Sequence, residues 1–298
     1  MRPWAFTVSV IPPILGGVIA VLENPHVEFN WLYLLLTAVG CMSAHAGANM
    51  LSDYYDYKQR VDREGTFGSS GLLVQKMLQP VQILRAAWLA LLLAGAIGLY
   101  FVLVLPEGRT LLYLMLIGGL LNVFYTAGPI EFKYHALGDI AVFIAFGPAM
   151  VLGAYFVQAH HLSWTPVLYS LPVALLVDAI LHSNNLRDIQ NDLVVNIKTI
   201  PILIGEKNAQ VMYDALIFGA YALVLVMILS AVMPRVALLC FLSLPMAVKL
   251  VKTVHNKNKM ASEQFALIDA ATAQFHSAFS LLLILSLLLH HFLFNAHA

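Results

Sequence analysis

The sequence predicts an all-α, polytopic membrane protein, a single domain over residues 1–298 made of a bundle of nine transmembrane helices. Three observations lead to this prediction: 60% of the residues are hydrophobic, only 11% are charged, and the mean hydropathy is +0.81. A soluble domain carries about 25% charged residues, so a chain this apolar requires lipid around it. The net charge is zero, which gives no indication of a nucleic-acid partner.

A transmembrane helix needs about 20 mostly apolar residues, and nine segments approach that length. The first includes Pro12 and Pro13 and shows no small-residue cleavage site, so we interpret it as a retained helix and not as a signal peptide. Long polar connections follow the second, sixth and eighth segments, and loops of this length are usually functional. The nine segments are residues 5–22, 31–51, 83–105, 111–125, 137–157, 167–186, 209–229, 236–251 and 275–294.

Positive charge is distributed unequally between the two sides of this bundle. If the segments cross the membrane in alternation, all of the 16 Lys and Arg residues except Arg109 and Arg235 fall on the side of Arg2. Cytoplasmic loops carry such an excess of Lys and Arg. We therefore expect a multi-pass protein of the cell inner (cytoplasmic) membrane, with the N-terminus and the functional loops facing the cytoplasm.

Acidic residues form a first cluster at the end of the second segment, in NMLSDYYDYKQRVD, residues 49–62. On a helix, Asn49, Asp53 and Asp56 stand at i, i+4 and i+7 and share one face, with Asp62 in the loop that follows. Carboxylates next to hydrocarbon are costly, so their presence indicates a functional site.

A second cluster ends the sixth segment, in NNLRDIQNDLVVNIKT, residues 184–199. Asn184, Asp188 and Asp192 stand at i, i+4 and i+8, so an amide and two carboxylates again share a helical face. Oxygen donors without His or Cys suit Mg²⁺, which also takes ligands from substrate phosphate. Two such clusters facing each other predict a diphosphate site bridged by magnesium, whose charge reverses the sign of the acidic site.

The two motifs resemble those of the UbiA superfamily of membrane prenyltransferases. The segments RPWAFTVSVIPPILGG and YTAGPIEFKYHALGD are similar to the first helix and the central loop of that family. The segment TAQFHSAFSLLL is similar to the last helix of its menaquinone branch, the 1,4-dihydroxy-2-naphthoate polyprenyltransferases. The resemblance covers nearly the whole chain and implies Mg²⁺-dependent transfer of a polyprenyl group from prenyl diphosphate to an aromatic acceptor. In the menaquinone branch the product would be demethylmenaquinone.

The resemblance also implies roles for individual residues. Three positions of the chain depart from the family pattern: Ser52 stands where many relatives have asparagine, and Arg60 and Asn196 stand where glycine is common. The implied metal ligands are Asn49, Asp53, Asp56, Asp188 and Asp192. The implied catalytic residues are Asp53, Asp56, Asp188, Asp192 and Lys133, and the implied substrate-binding residues are Asn49, Asp62, Tyr125, Asn184, Arg187 and Lys198.

Two alternatives stay open from the sequence alone. The acceptor could instead be 4-hydroxybenzoate, homogentisate, a haem or a glycerol phosphate lipid. From another class of protein, a cation or metabolite transporter would also carry acidic residues within its spans. Transporter sites lie near the bilayer midplane, whereas both clusters here stand at one end of their helices, which favours the enzyme.

Overall fold

A computed structural model describes residues 6–24, 26–63 and 70–295 of the chain. These residues form α-helices joined by short 3₁₀ and π segments, and they include no β-strand. The α-helices are α1 (Thr7–Glu23), α2 (Trp31–Lys58), α3 (Pro80–Val104), α4 (Thr110–Val123), α5 (Gly138–Ile144), α6 (Met150–Ala159), α7 (Thr165–Val194), α8 (Ile200–Ile204), α9 (Glu206–Leu229), α10 (Leu244–His255), α11 (Ser262–Phe265) and α12 (Ile268–His290).

The nine predicted segments each correspond to helix in the described part of the chain. Seven helices there are long and apolar enough to cross a membrane, and α1 and α4 are shorter apolar helices. Three of the spans are composite: α5 and α6 are joined by the π-helical segment Ala145–Ala149, the 3₁₀ helix Arg235–Ser243 leads into α10, and α12 continues into the π-helical segment His291–Asn295. The all-helical membrane fold expected from the sequence is thus confirmed.

Several helices extend beyond the apolar segments that predict them. α2 continues to Lys58 and α7 to Val194, and α12 begins at Ile268 instead of residue 275. Backbone hydrogen bonds continue into polar residues once these are buried against neighbouring helices, whereas a hydropathy pattern ends at the first polar cluster. Both acidic motifs therefore lie on the last turns of helices.

The buried core is formed mainly by α1, α7, α9 and α12, whereas α3 and α4 present apolar side chains outward. Leu92 on α3 is 66% exposed and Leu116 on α4 is 62% exposed, as suits helices that face lipid. Gly16 allows α1 to approach α6, because a Cβ atom there would lie 2.4 Å from the backbone oxygen of Val151. The largest enclosed side chains of the core include Tyr155, Tyr213, Phe275 and Phe279.

Candidate active site

The first motif ends α2 with a buried carboxylate that has three hydrogen-bond donors. Asp56 is 4% exposed, and its Oδ1 accepts a hydrogen bond from the Tyr134 hydroxyl at 2.8 Å. Its Oδ2 accepts from Lys133 Nζ at 2.5 Å and from Ser52 Oγ at 2.9 Å. Three side-chain donors therefore satisfy the oxygens of this buried carboxylate.

The other members of this motif stand on either side of Asp56. Asp53 accepts a 2.5 Å hydrogen bond from Ser70 Oγ, in the connection between α2 and α3. Asn49 lies one turn before Asp53 and lines a cavity between the helices. Asp62 follows the helix end, where its backbone N–H donates to the Asp56 carbonyl at 3.3 Å.

Lys133 reaches Asp56 from the central loop between α4 and α5. The loop folds back because the backbone N–H of Lys133 donates to the Tyr125 carbonyl at 2.8 Å. Burial alone lowers the pKa of Lys133, but the charge and hydrogen bond of Asp56 outweigh it, so that pKa is raised from its ordinary value of 10.5. Burial and the Asp56 charge also raise the pKa of the Tyr134 phenol. Lys133 is therefore a permanent cation and Tyr134 a permanent donor to Asp56.

The second motif is built around Arg187 at the end of α7. The guanidinium binds both oxygens of Asp188, with Nε at 2.9 Å and Nη2 at 2.7 Å, and it also donates to Asn184. Its Nη1 lies 3.1 Å from Asp269 Oδ2 at the start of α12. Arg187, implied by the resemblance as a substrate ligand, thus holds the Asp188 carboxylate of its own cluster and joins α7 to α12.

Each of the two motifs contributes an asparagine to the same cavity. The cavity has a volume of about 540 Å³, and Asn49 of the first motif and Asn184 of the second both line it. Tyr125, which ends the α4 segment, lines it as well. The remaining walls are mostly apolar and come from helices α1 to α7 and the π-helical segment Ala145–Ala149, and Asp269 of α12 is a charged residue among them.

Charges of the two motifs act on each other. Asp192 lies within electrostatic range of both Asp56 and Lys133. The central loop also contacts the end of the second motif, because the backbone N–H of Lys198 donates to the Tyr134 carbonyl at 3.1 Å. The Lys198 side chain itself is exposed, and this backbone contact is what places it near the site.

Each motif contains a residue with left-handed backbone geometry two positions after the end of its helix. The φ angle is 61° at Arg60 and 57° at Asn196. Only glycine adopts this region without strain, and asparagine tolerates it better than most residues. These are the two positions where the family pattern has glycine, so each is explained by the same sharp turn after a helix.

The residues fit a bound Mg²⁺ that takes part of its ligands from a substrate. Within the described residues, no three His, Cys, Asp or Glu side chains lie close enough to hold a metal ion alone. Asp53 and Asp192 form no ion pair with any described residue, which leaves carboxylate oxygens of both motifs available. Magnesium commonly uses one or two carboxylates and completes its coordination with water and phosphate.

Three parts of the site were absent from the sequence prediction. Tyr134 lies within the central-loop segment, but nothing in the sequence pairs it with Asp56. Ser70 and Asp269 stand outside the motifs, and Asp269 precedes the segment predicted for the last span. The only available signal for Asp269 was an acidic residue next to a long apolar run, and its partner Arg187 is distant in sequence.

The family model described as "UbiA prenyltransferase family" matches residues 10–279 of the chain. The chain belongs to the UbiA prenyltransferase family. It is therefore a membrane prenyltransferase, and the transporter alternative is set aside.

Relatives within the UbiA family are similar to this chain over most of its length. It is 33% identical over 287 residues to the "UbiA prenyltransferase domain-containing protein 1 homolog" of Drosophila melanogaster, covering 96% of this chain and 77% of the relative. It is 31% identical over 290 residues to "UbiA prenyltransferase domain-containing protein 1" of Homo sapiens, covering 97% of this chain and 82% of the relative. These names belong to a branch other than the menaquinone branch that the last helix suggested, so that finer assignment is not confirmed.

Solved structures of UbiA homologues share the fold. The apo structure of a UbiA homologue from Aeropyrum pernix K1 has a TM-score of 0.65 and 16% sequence identity, over 94% of this chain and 98% of that one. A UbiA homologue from Archaeoglobus fulgidus bound to GPP and Mg²⁺ has a TM-score of 0.62 and 15% identity, over 93% of this chain and 96% of that one. At these identities the likeness shows the fold.

Proposed function

We propose that this UbiA family protein transfers a polyprenyl group from a prenyl diphosphate to a hydroxylated aromatic acceptor, at the end of the cavity where the two aspartate motifs meet. The observation that carries the proposal is that Asn49 and Asn184, each one helical turn before a motif carboxylate, both line one apolar cavity. A charged mouth above an apolar chamber suits a substrate with a diphosphate head and an isoprenoid tail.

Mg²⁺ is the cofactor of this proposal. Asp53 and Asp192 would hold it, together with Asn49, Asp56 and Asp188 as the resemblance implies. When bound, it supplies positive charge that attracts the diphosphate and stabilises its negative charge as it leaves. The A. fulgidus homologue binds GPP and Mg²⁺ together, which supports this choice.

The protein's own cations would act beside the metal. Lys133 and Arg187 are held by Asp56 and Asp188, so their charges are fixed in position before substrate binds. Tyr125, which lines the cavity, is a proposed substrate contact, as are Asp62 and Lys198 near the ends of the two motifs. The apolar walls would exclude water, which protects the allylic carbocation left by diphosphate departure from hydrolysis.

The proposed acceptor is 1,4-dihydroxy-2-naphthoate or a related dihydroxynaphthalene. Its two hydroxyls make the ring electron-rich, so that attack on the allylic carbon needs little further activation. The other family acceptors, namely 4-hydroxybenzoate, homogentisate, haem and glycerol phosphate lipid, are competitors that the test must include. The excess of Lys and Arg on one side supports a site that faces the cytoplasm, with the N-terminus on that side.

The test is transfer by the purified protein in detergent or nanodiscs, with geranyl diphosphate and a panel of these acceptors. Products are detected by mass, with and without EDTA. We expect a prenylated dihydroxynaphthalene that forms only with Mg²⁺. Diphosphate release without any prenylated aromatic product would overturn the proposal.

A further inference from the structure

His45 is a fixed imidazole in the wall of the apolar cavity. It lines the cavity, and its side chain is enclosed by α1 and the π-helical segment Ala145–Ala149, so that the residue is only 6% exposed. The edges of Phe6 and Phe146 pack against the ring, with centroid distances of 5.9 Å and 5.0 Å. The ring therefore has one orientation, set before any ligand enters.

The hydrogen bonds of Ser9 determine which nitrogen of His45 carries the proton. The Ser9 hydroxyl donates to the Phe6 carbonyl at 3.1 Å, which uses its single proton. His45 Nδ1 lies 3.1 Å from Ser9 Oγ, so Nδ1 carries a proton and donates it to that oxygen. In the neutral imidazole, Nε2 is then an acceptor, and it has no hydrogen-bond partner among the described residues.

The depth of His45 matches the place where an acceptor ring must lie. His45 precedes Asn49 by four residues on α2, so it stands on the same face about 6 Å farther from the motif carboxylates. The reacting carbon of a prenyl diphosphate is bonded directly to the diphosphate, and the attacking ring carbon must approach it to about 3–3.5 Å. The acceptor ring therefore occupies the first helical turn below the diphosphate, within reach of this turn of α2.

We propose that His45 Nε2 accepts a hydrogen bond from a ring hydroxyl of the aromatic acceptor and so selects which ring carbon faces the allylic carbon. This inference rests on the proposed prenyl transfer and adds the chemical class of the acceptor, a ring with a free hydroxyl. A methoxy group, which has no proton to donate, would meet an unpaired lone pair at Nε2 and bind less well.

Two matched substitutions separate this role from a structural one. In His45→Gln the side-chain amide reaches the position of Nε2, and its carbonyl oxygen can accept a hydrogen bond from the hydroxyl of the aromatic substrate. In His45→Asn the shorter amide stays at the position of Nδ1, where it keeps the Ser9 contact. No hydrogen-bond acceptor then faces the cavity at the position of Nε2. We expect His45→Asn to lower kcat/KM for the dihydroxynaphthalene by about tenfold, the effect of one hydrogen bond, with His45→Gln closer to the wild type. The KM for geranyl diphosphate should be unchanged in both variants.

A methylated aromatic acceptor, tested on the wild type and on His45→Asn, shows whether His45 and the ring hydroxyl interact with each other. For the wild type, methylation of the recognised hydroxyl should lower kcat/KM by about the same factor as His45→Asn, and the variant should lose little more on the methylated compound. Each variant is first checked for an unchanged unfolding temperature in detergent, and acceptor binding without prenyl diphosphate is followed by the rise in that temperature.

The outcomes distinguish this inference from the proposed function. Equal activity of His45→Asn and the wild type, or higher activity of Asn than Gln, would show that His45 does not recognise the hydroxyl. A parallel rise in KM for both substrates would assign it to cavity shape and also overturn the inference. Absence of aromatic prenylation by the wild type would overturn the proposed function itself.

Discussion

Lys133 Nζ lies 2.5 Å from Asp56 Oδ2 and joins the central loop to the end of α2. The Asp56 side chain is 6% exposed and that of Lys133 is 25% exposed, so the pair is shielded on one side and partly open on the other. It fixes a positive charge at the cavity end where the second motif also lies.

Removal of Lys133 leaves a buried carboxylate without its counter-charge. We expect Lys133→Met to lower the free energy of unfolding by about 2 kcal/mol, less than for a fully buried pair because of the partial exposure, and to lower prenyl transfer by more than about tenfold. The double variant Lys133→Met with Asp56→Asn should unfold at a higher temperature than the single Lys133→Met, since no unpaired charge is left. If the two variants unfold alike, the pair has no role in stability.

The raised pKa of Lys133 predicts the pH range over which this pair contributes stability. A cationic group whose pKa is raised on folding contributes fully below its ordinary value, here 10.5, and loses the contribution as pH rises through the higher folded value. The difference in unfolding temperature between the wild type and Lys133→Met should therefore stay constant between about pH 7 and 9. A difference that disappears within that range would mean that Lys133 loses its proton there.

Asp53 and Asp188 are expected to be essential for turnover and dispensable for insertion and folding. Asp53→Asn keeps an oxygen for the Ser70 hydroxyl, and Asp188→Asn keeps one oxygen for Arg187, but both lose a negative charge that a divalent cation requires. We expect each to lower Mg²⁺-dependent prenyl transfer by more than about a hundredfold, a loss typical for electrostatic groups of a catalytic site.

A matched control for these two variants is Asp214→Asn. Asp214 pairs with His255 at 2.7 Å, at a partly exposed position, and it does not line the cavity. This variant should keep wild-type transfer. Unchanged transfer in Asp53→Asn or Asp188→Asn would remove that residue from the proposed metal site.

The sharp turns after α2 and α7 can be tested by substituting Arg60 and Asn196, the residues with left-handed backbone geometry. Arg60→Gly should raise the free energy of unfolding by up to about 1 kcal/mol, because glycine adopts a φ of 61° without strain. Asn196→Val should lower it by about 1–2 kcal/mol, because a β-branched residue is disfavoured at a φ of 57°. Thermal unfolding in detergent measures both changes. A lower free energy of unfolding for Arg60→Gly, or a higher one for Asn196→Val, would show that tertiary contacts of the native side chains outweigh the backbone strain.

Much of the bundle could be predicted from local sequence. About 20 consecutive apolar residues predict a membrane span, and spacings of three and four residues predict a shared helical face. This is why the segments and the common face of Asn49, Asp53 and Asp56 were found. The predicted helix ends come too early where buried polar residues continue a helix, as at Asp188 of α7, because burial by neighbouring helices is not visible in hydropathy.

The sequence by itself determined that the chain crosses a membrane repeatedly and that two helices end in acidic faces. Only the tertiary structure decided that these faces share one cavity, that Tyr134 and Lys133 hold Asp56, and that Asp269 shares Arg187 with the second motif. The physical reason is range: hydropathy and helical periodicity depend on neighbours along the chain. A hydrogen bond or a cavity wall depends on how helices distant in sequence pack together.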